Sequence, residues 1–583
     1  MFPSILRFEL GFWFRGWMVF VFTLILATLF FAAASSDNIV IGGAVENTNR
    51  NAPFVVQNHY AIASILTLLM TTAFASAAAT RDFTYHTNQL IFSAPIRKLP
   101  YLCGRFLGSS LAAIFPMIGI SLGVLLASYM PWNDAERWGP NSLTPHLAGF
   151  FIFAVPNTLL AAAFIFAVAA VTRSSTFAFI SAIGLLVGYG VSGNLISNLD
   201  NEQWAMLLDP LGVRPFARMT RYWSITERNT LTLGLNGPLL INRLLWLAVA
   251  GMVFAIAAWR FSFVDSASRR RRSEAVTDDV AIVSASSFGG VPITDLSPQG
   301  AVVGQLIRAQ CRIDLAETVR SRVFLILLAV SVINLAAILF SGANQGYGLS
   351  TLPVTYSVIE AIRGSTYLFL ISVITFYTGV VVWKERESKL DEVYDAMPYP
   401  TWTTYVAKLL TIACVIWLFM AISIFCGVAY QWSQGYTRFQ FGLYLVELLG
   451  IDFVQFLFLA VLAMACHIVS PSKYVGYFAF IVVLIANSFV WYVLDWPTLL
   501  VQYGQLPSYV YSDFYGFGPY VQSLSWFGAY WASGATLLAI GSAWLWQRGK
   551  ETRIKQRLIA AKQRLSPAVV RLAVANCVIM LAL

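Results

Sequence analysis

Runs of about twenty consecutive apolar residues, parted by short polar loops, recur along this chain and leave it few folds to choose from. A run of about that length is what an α-helix needs to cross a hydrocarbon core. Inside such a core only helices and closed barrels satisfy their own backbone. Charged residues are 11% and hydrophobic residues 58% of the 583, whereas a soluble domain carries about 25% charged residues. The pattern predicts an all-α polytopic membrane protein. About twelve spans are expected, near 16–35, 59–80, 106–129, 147–171, 176–198, 239–260, 323–341, 364–383, 405–430, 444–468, 474–494 and 526–547. PAVVRLAVANCVIMLAL (567–583) reads as a truncated thirteenth.

Lysine and arginine near the span ends orient the chain, because positive loops stay in the cytoplasm. The 81–105 loop holds Arg81, Arg97, Lys98 and Arg105, and the 384–408 loop holds Lys384, Arg386, Lys389 and Lys408. Three alternate loops are poor in positive charge: Arg50 alone in 36–58, Arg137 alone in 130–146 and none in 495–525. The 199–238 loop breaks the pattern with Arg214, Arg218, Arg221 and Arg228, but it is long and acidic residues accompany the arginines, so it is placed outside with the other three. The N-terminus is therefore placed in the cytoplasm. The net charge of +10 lies mainly in such loops and linkers, which speaks for topology and against nucleic acid as the partner.

RDFTYHTNQLIFSAPIRKLPYLCGRFL (81–107) lies opposite KERESKLDEVYDAMPYPTWTTYVAKLL (384–410) at a constant offset, pairing Arg81 with Lys384, Asp82 with Glu385, Pro95 with Pro398 and Arg105 with Lys408. Upstream, RFELGFWFR (7–15) matches RIDLAETVR (312–320), an amphipathic lead-in to the first span of each half. Two six-helix halves related as a parallel repeat are expected: 1–261, a cytoplasmic linker over 262–300, and 301–547, followed by a basic cytoplasmic segment (548–566) and the thirteenth span.

Chemistry of its own is scarce. No G-x-x-x-x-G-K-[ST] phosphate loop and no H-E-x-x-H is present, and the histidines number four. A self-contained ATPase and a zinc peptidase are excluded on those motifs, and no metal site or catalytic residue is assigned. The six cysteines show no paired spacing and read as small buried hydrophobes. Ionisable groups within spans are costly and point to function. Glu447 and Asp452 are the clearest, with Asn157 opposite Asp452 in the aligned halves. They either line a substrate pathway or satisfy one another in a packed bundle.

Two such halves, each with a lead-in helix and a polar helix–Pro segment between its second and third spans, resemble the permease of an ABC-2 type ABC transporter. The DP-LG…RYW…ERNT…NRLLW pattern within 208–246 resembles the subfamily whose long members continue into an M1-type aminopeptidase domain, which this sequence does not contain. The resemblance implies an exporter in a bacterial inner membrane, with no cofactor of its own. Two copies of a separate cytoplasmic ATPase would bind ATP and Mg²⁺, and an M1-type peptidase domain or subunit would sit on the periplasmic side. It also implies coupling to the ATPase through 81–97 and 384–400, carried by Arg81, Asp82, Phe83, Leu90, Ile91, Pro95, Lys384, Glu385, Glu387, Glu392 and Pro398. The substrate is left as peptides or amphiphiles. An ion-coupled secondary transporter and a membrane scaffold for an external peptidase stand as alternatives.

Overall fold

The computed structural model describes residues 1–35, 47–85, 87–132, 134–194, 202–263, 300–341, 345–346, 349–350, 352–397, 399–494, 496, 498–548, 557–559, 562 and 567–583. The 262–300 linker and the 548–566 segment lie mostly outside these residues, and Pro398 lies wholly outside them. Apart from a two-residue antiparallel pairing of Gln345–Gly346 with Leu349–Ser350, the described elements are helices.

Eight of those helices are long and apolar enough to cross a membrane: Met18–Ser35, Lys98–Ala127, Thr144–Thr172, Gly237–Arg260, Arg322–Phe340, Thr355–Glu387, Thr401–Ser433 and Phe441–Val469. A ninth results if Pro53–Ile65 and Met70–Thr84, bent by 46° at their break, form one span. This is a multi-pass membrane protein, but the expected twelve-span, two-repeat architecture with a thirteenth span is overturned. At 176–198 and 474–494 the helices Ser175–Asn194 and Lys473–Val493 count only as the shorter apolar stretches Phe177–Leu186 and Val475–Ser488 among the described residues, and at 567–583 the helix is Pro567–Ala582. At about 1.5 Å per residue the sixteen residues of Pro567–Ala582 fall short of a hydrocarbon core roughly 30 Å thick. The 526–547 run lies on the long helix Gly518–Trp544, where glycine, serine, tyrosine and tryptophan dilute its apolar character.

The chain divides into two compact units, one from the described residues of the first half and one from those of Pro298–Leu583 with short pieces of the first. In the first unit α1 (Phe2–Arg15) leads into α2 (Met18–Ser35), and α3 (Pro53–Thr84) is followed by the short α4 (Asn88–Ser93), then α5 (Lys98–Ile114) and α6 (Ile118–Ala127). Glycine sets two of the close approaches. A Cβ at Gly104 would stand 2.7 Å from the Ile5 side chain and one at Gly108 2.6 Å from Glu9, so α1 lies directly on α5. Gly119 and Gly123 likewise bring α6 onto the backbone of α2 at Thr23 and Ala27, the small-residue contact by which membrane helices associate. The core, with Leu68, Leu102, Ile165 and Phe166, is shared by α3, α5 and α7 (Val155–Thr172). α8 (Gly237–Arg260) closes the unit along α7.

The second unit starts with α9 (Gly300–Arg320), which packs along α12 (Thr401–Ser433). Between them in sequence come α10 (Thr355–Glu387) and the six-residue α11 (Asp391–Ala396). α13 (Phe453–Val469) completes the inner layer. Each unit contains a π-helical stretch just ahead of an inner helix, Phe150–Ala154 before α7 and Leu445–Asp452 before α13. Such stretches are rare and gather at functional sites.

Candidate functional site: two ionic joints and a charged triad

The polar insert that interrupts the first unit folds back on itself. α3 ends at Thr84, where the Tyr85 amide donates to the Arg81 carbonyl at 3.0 Å and the Thr87 amide to that of Asp82 at 2.9 Å. α4 then runs six residues and stops at Ala94, in extended conformation ahead of the exposed Pro95, because the residue before a proline is barred from the helical region. Arg81 and Asp82 face the protein. The Glu9 carboxylate of α1, wholly buried, accepts from Arg81 Nη2 and Nη1 at 2.7 and 3.1 Å, from Arg105 Nη1 at 2.8 Å and from Trp13 Nε1 at 2.9 Å. Arg105 Nη2 also donates to Asp82 at 2.6 Å, and the Tyr101 hydroxyl donates to Asp82 Oδ2 at 2.5 Å. Phe12 caps the Arg81 guanidinium with its ring centre 3.6 Å away. Two carboxylates thus meet two guanidiniums in a buried, charge-balanced joint among α1, α3 and α5.

The second unit builds a joint from the corresponding positions. Lys384 Nζ donates to Asp314 Oδ1 of α9 at 2.7 Å and pairs with Glu317 at 2.5 Å. Lys408, fully buried, donates to both Glu385 oxygens at 2.7 Å and to the Val381 carbonyl. Glu387 pairs with Lys473. Beyond α10 the backbone turns through Lys389 in the left-handed region, φ +56°. Arg548 grips the chain after α11, donating to the carbonyls of Asp395 at 2.7 Å, of Met397, and of Tyr399 at 3.3 Å. The Tyr394 hydroxyl donates to Gln310 at 3.1 Å, tying α11 to α9.

The residues singled out for coupling therefore separate into three groups. Arg81, Asp82, Lys384 and Glu385 are spent inside the joints. Phe83 and Ile91 pack half-buried on the unit's core, Phe83 against Phe92 at 5.6 Å. Leu90 (77% exposed), Pro95, Glu387 and Glu392 face outward. Leu390, Val393 and Met397 are exposed beside them, unmarked in the sequence because their apolar character is lost among charges. A groove of about 550 Å³ opens next to α4, lined among others by Ile5, Phe8, Phe12, Tyr85, Leu90 and Ile91.

The polar residues within the spans do not form one set. Asn157 belongs to the first unit, where it donates to Ser64 Oγ at 2.7 Å and the Leu211 carbonyl at 2.9 Å and accepts from Arg243 Nη1 at 2.5 Å. Glu447 and Asp452 belong to the second, on its π-helical stretch, and share one cation. Arg363 of α10 donates to Glu447 Oε2 at 2.9 Å and to Asp452 Oδ2 at 2.8 Å. It also reaches the Tyr509 hydroxyl at 2.5 Å. Burial pushes that phenol above its ordinary range, and the Asp452 charge adds to the effect. Arg363 and Arg243 were missed in the sequence, Arg363 because it stands one residue ahead of an apolar run and reads as a flank.

Residues 4–265 match the family described as ABC-2 family transporter protein. No curated protein and no solved structure matches the chain. The matched residues include the first joint, α4 and Asn157 and end ahead of the second joint.

Proposed function

We infer that residues 4–265, which match the ABC-2 transporter family, form a membrane transporter domain within this polytopic membrane protein. We propose that the chain is the membrane subunit of an ATP-driven ABC-2 type exporter, set in a bacterial inner membrane with its N-terminus in the cytoplasm. Members of this family pair with a separate ATPase, and here ATP and Mg²⁺ would be held by two copies of that partner. The observation that carries the reading is the pair of six-residue helices, α4 and α11, each presenting apolar side chains outward from a base fixed by buried ion pairs. A helix that short is unstable alone. Here the joints hold it, so a push on Leu90 or Val393 reaches α3, α5, α10 and α12 as well as the lead-in helices. Apolar anchors rimmed by charge suit a partner's groove. The groove beside α4 supplies further apolar surface for the same contact.

The charge difference between α4 (NQLIFS) and α11 (DEVYDA) supports two unequal docking contacts rather than two identical ones. An M1-type peptidase partner rests only on the resemblance within 208–246, and the substrate class on that analogy.

The test is reconstitution of the chain with its ATPase in liposomes, using Leu90→Glu and Val393→Glu. Each variant should keep the unfolding midpoint of the parent, because both residues are exposed, while losing bound ATPase and ATP-driven transport. Full transport by the chain without any ATPase would sink the reading. It would favour ion-coupled secondary transport instead, for which the Arg363–Glu447–Asp452 triad supplies the charges. In that case Asp452→Asn abolishes transport.

A further inference from the structure

We propose that Phe92 and Arg548 are positioning residues: each ties the six-residue helix of its unit to the end of a long helix outside the joints, so that a push on α4 or α11 also reaches α8 or Gly518–Trp544. Their role in transport rests on the ATPase-coupled reading above; the ties themselves do not. In the first unit the tie is made of rings. Phe92 of α4 is half-buried, with its ring centre 4.8 Å from that of Phe263 and 6.3 Å from that of Phe261. Both stand directly after α8, and the Phe261 amide donates to the Ala257 carbonyl of α8 at 2.8 Å. Tyr101 of α5 stacks on Phe261 with ring centres 6.2 Å apart. Lys98 Nζ donates to the Trp259 carbonyl, in the last turn of α8, at 2.9 Å. Aromatic pairs at such distances attract beyond the area they bury.

In the aligned stretches Phe92 falls opposite Asp395, so the second unit has no ring at that position. There the backbone is held instead. The last carbonyls of a helix find no partner within it. Arg548 donates to those at the end of α11: to Asp395 at 2.7 Å, to Met397, and to Tyr399 at 3.3 Å. A planar fork can serve several acceptors at once, and a cation is favoured at a helix C-terminus. Arg548 is fixed in turn to Gly518–Trp544, because the amides of Leu545 and Trp546 donate to the carbonyls of Gly541 and Ala543 at 2.9 and 3.4 Å.

The helices reached in this way hold polar groups of their own. α8 carries Arg243, which donates to Asn157. Gly518–Trp544 carries Trp531 and Tyr530, which donate to the carbonyls of Leu499 and Leu500 at 3.2 and 3.1 Å. That segment runs on to Tyr509, the hydroxyl that meets Arg363. A displacement of α4 thus arrives at the helix that holds Asn157, and one of α11 at the helix that holds the segment leading to the triad. A fork on three carbonyls is lost with one side chain, whereas a ring cluster keeps part of its contact after truncation. The tie through Arg548 is therefore the easier one to break.

The first measurement is hydrogen–deuterium exchange of the full chain in liposomes, without ATPase, for the parent, Arg548→Gln and Phe92→Leu. Arg548→Gln should speed exchange severalfold over α11 and leave α4 unchanged, and Phe92→Leu should do the reverse by a smaller factor. Unchanged exchange in a variant's own short helix, or equal acceleration in both helices, overturns the ties. The second measurement adds the ATPase. Both variants should keep bound ATPase and ATP hydrolysis while transport per ATP hydrolysed falls severalfold, with Arg548→Lys falling less than Arg548→Gln. A ratio of transport to hydrolysis equal to the parent's overturns the positioning role, even where both rates drop together. A parent that binds no ATPase sinks the ATPase reading and the role in coupling with it, while the exchange result still decides the ties.

Discussion

Arginine holds the joint of the first unit and lysine that of the second, and the two side chains solve the same problem differently. Arg105 reaches Glu9 and Asp82 with separate nitrogens, and Arg81 grips Glu9 with two. A planar fork can span two carboxylates in this way, whereas an ammonium is a point charge on a flexible stem. The second joint accordingly breaks into pairs: Lys384 serves Asp314 and Glu317, while Lys408 serves Glu385. The first is one network, in which each removal strands several groups. The second is a set of contacts that fail one at a time. The sharpest test removes the acid of each lead-in helix. Glu9→Gln leaves two guanidiniums short of a buried carboxylate and should cost about 3–5 kcal/mol, the range for breaking a buried pair. Asp314→Asn should cost about 1 kcal/mol, because Lys384 keeps Glu317 and partial access to water. Unfolding midpoints of the two variants in the same detergent decide it. Equal losses would show that the networks do not differ.

A smaller effect separates fork from point charge directly. Arg105→Lys keeps the charge but cannot satisfy Glu9 and Asp82 together, so about 1.5–3 kcal/mol is expected, the loss of a hydrogen bond to a charged group. Arg105→Ala should cost more than Arg105→Lys. A lysine variant as stable as the parent would mean that charge alone holds the joint and that the fork is incidental.

The joints were legible in the sequence as aligned positions but not as an inward-facing network. Arg81 and Asp82 stand at the end of α3, and which way they point depends on where α1 lies, a contact between residues 72 apart for Arg81 and Glu9. One signal was on the page: Glu9 is a lone acid among Phe8, Leu10, Phe12 and Trp13, on the side of a helix that must be covered. The span count failed for a different reason. An apolar run shows that a segment avoids water, not that one unbroken helix carries it through a membrane. At 567–583 the apolar helix runs only sixteen residues, Pro567–Ala582, and the run at 59–80, read as one span, falls on Pro53–Ile65 and Met70–Thr84, bent by 46°. The triad around Arg363 needed the π-helical turn of Leu445–Asp452, for which no residue pattern gives notice. Glu447 and Asp452 were visible as misplaced charges, whereas the cation that answers them was hidden at a helix edge.

The finest difference between the joints is their response to salt. Ions screen charges that water reaches and act little on charges sealed in protein. Lys384 is 24% exposed and its partner Glu317 66% exposed, whereas Glu9 is wholly buried and Arg105 nearly so. Glu317→Ala should therefore cost only about 0.5–1 kcal/mol at low ionic strength, the scale of a surface pair. That cost should shrink toward zero as sodium chloride approaches about 1 M, where the screening length is roughly 3 Å. The loss caused by Glu9→Gln should stay constant over the same range. Unfolding midpoints of both variants and the parent across a salt series supply the comparison. A salt-dependent Glu9→Gln loss would mean that water and ions enter the first joint. A salt-independent Glu317→Ala loss would mean that the second joint is as shielded as the first, and that arginine and lysine differ there in shape alone.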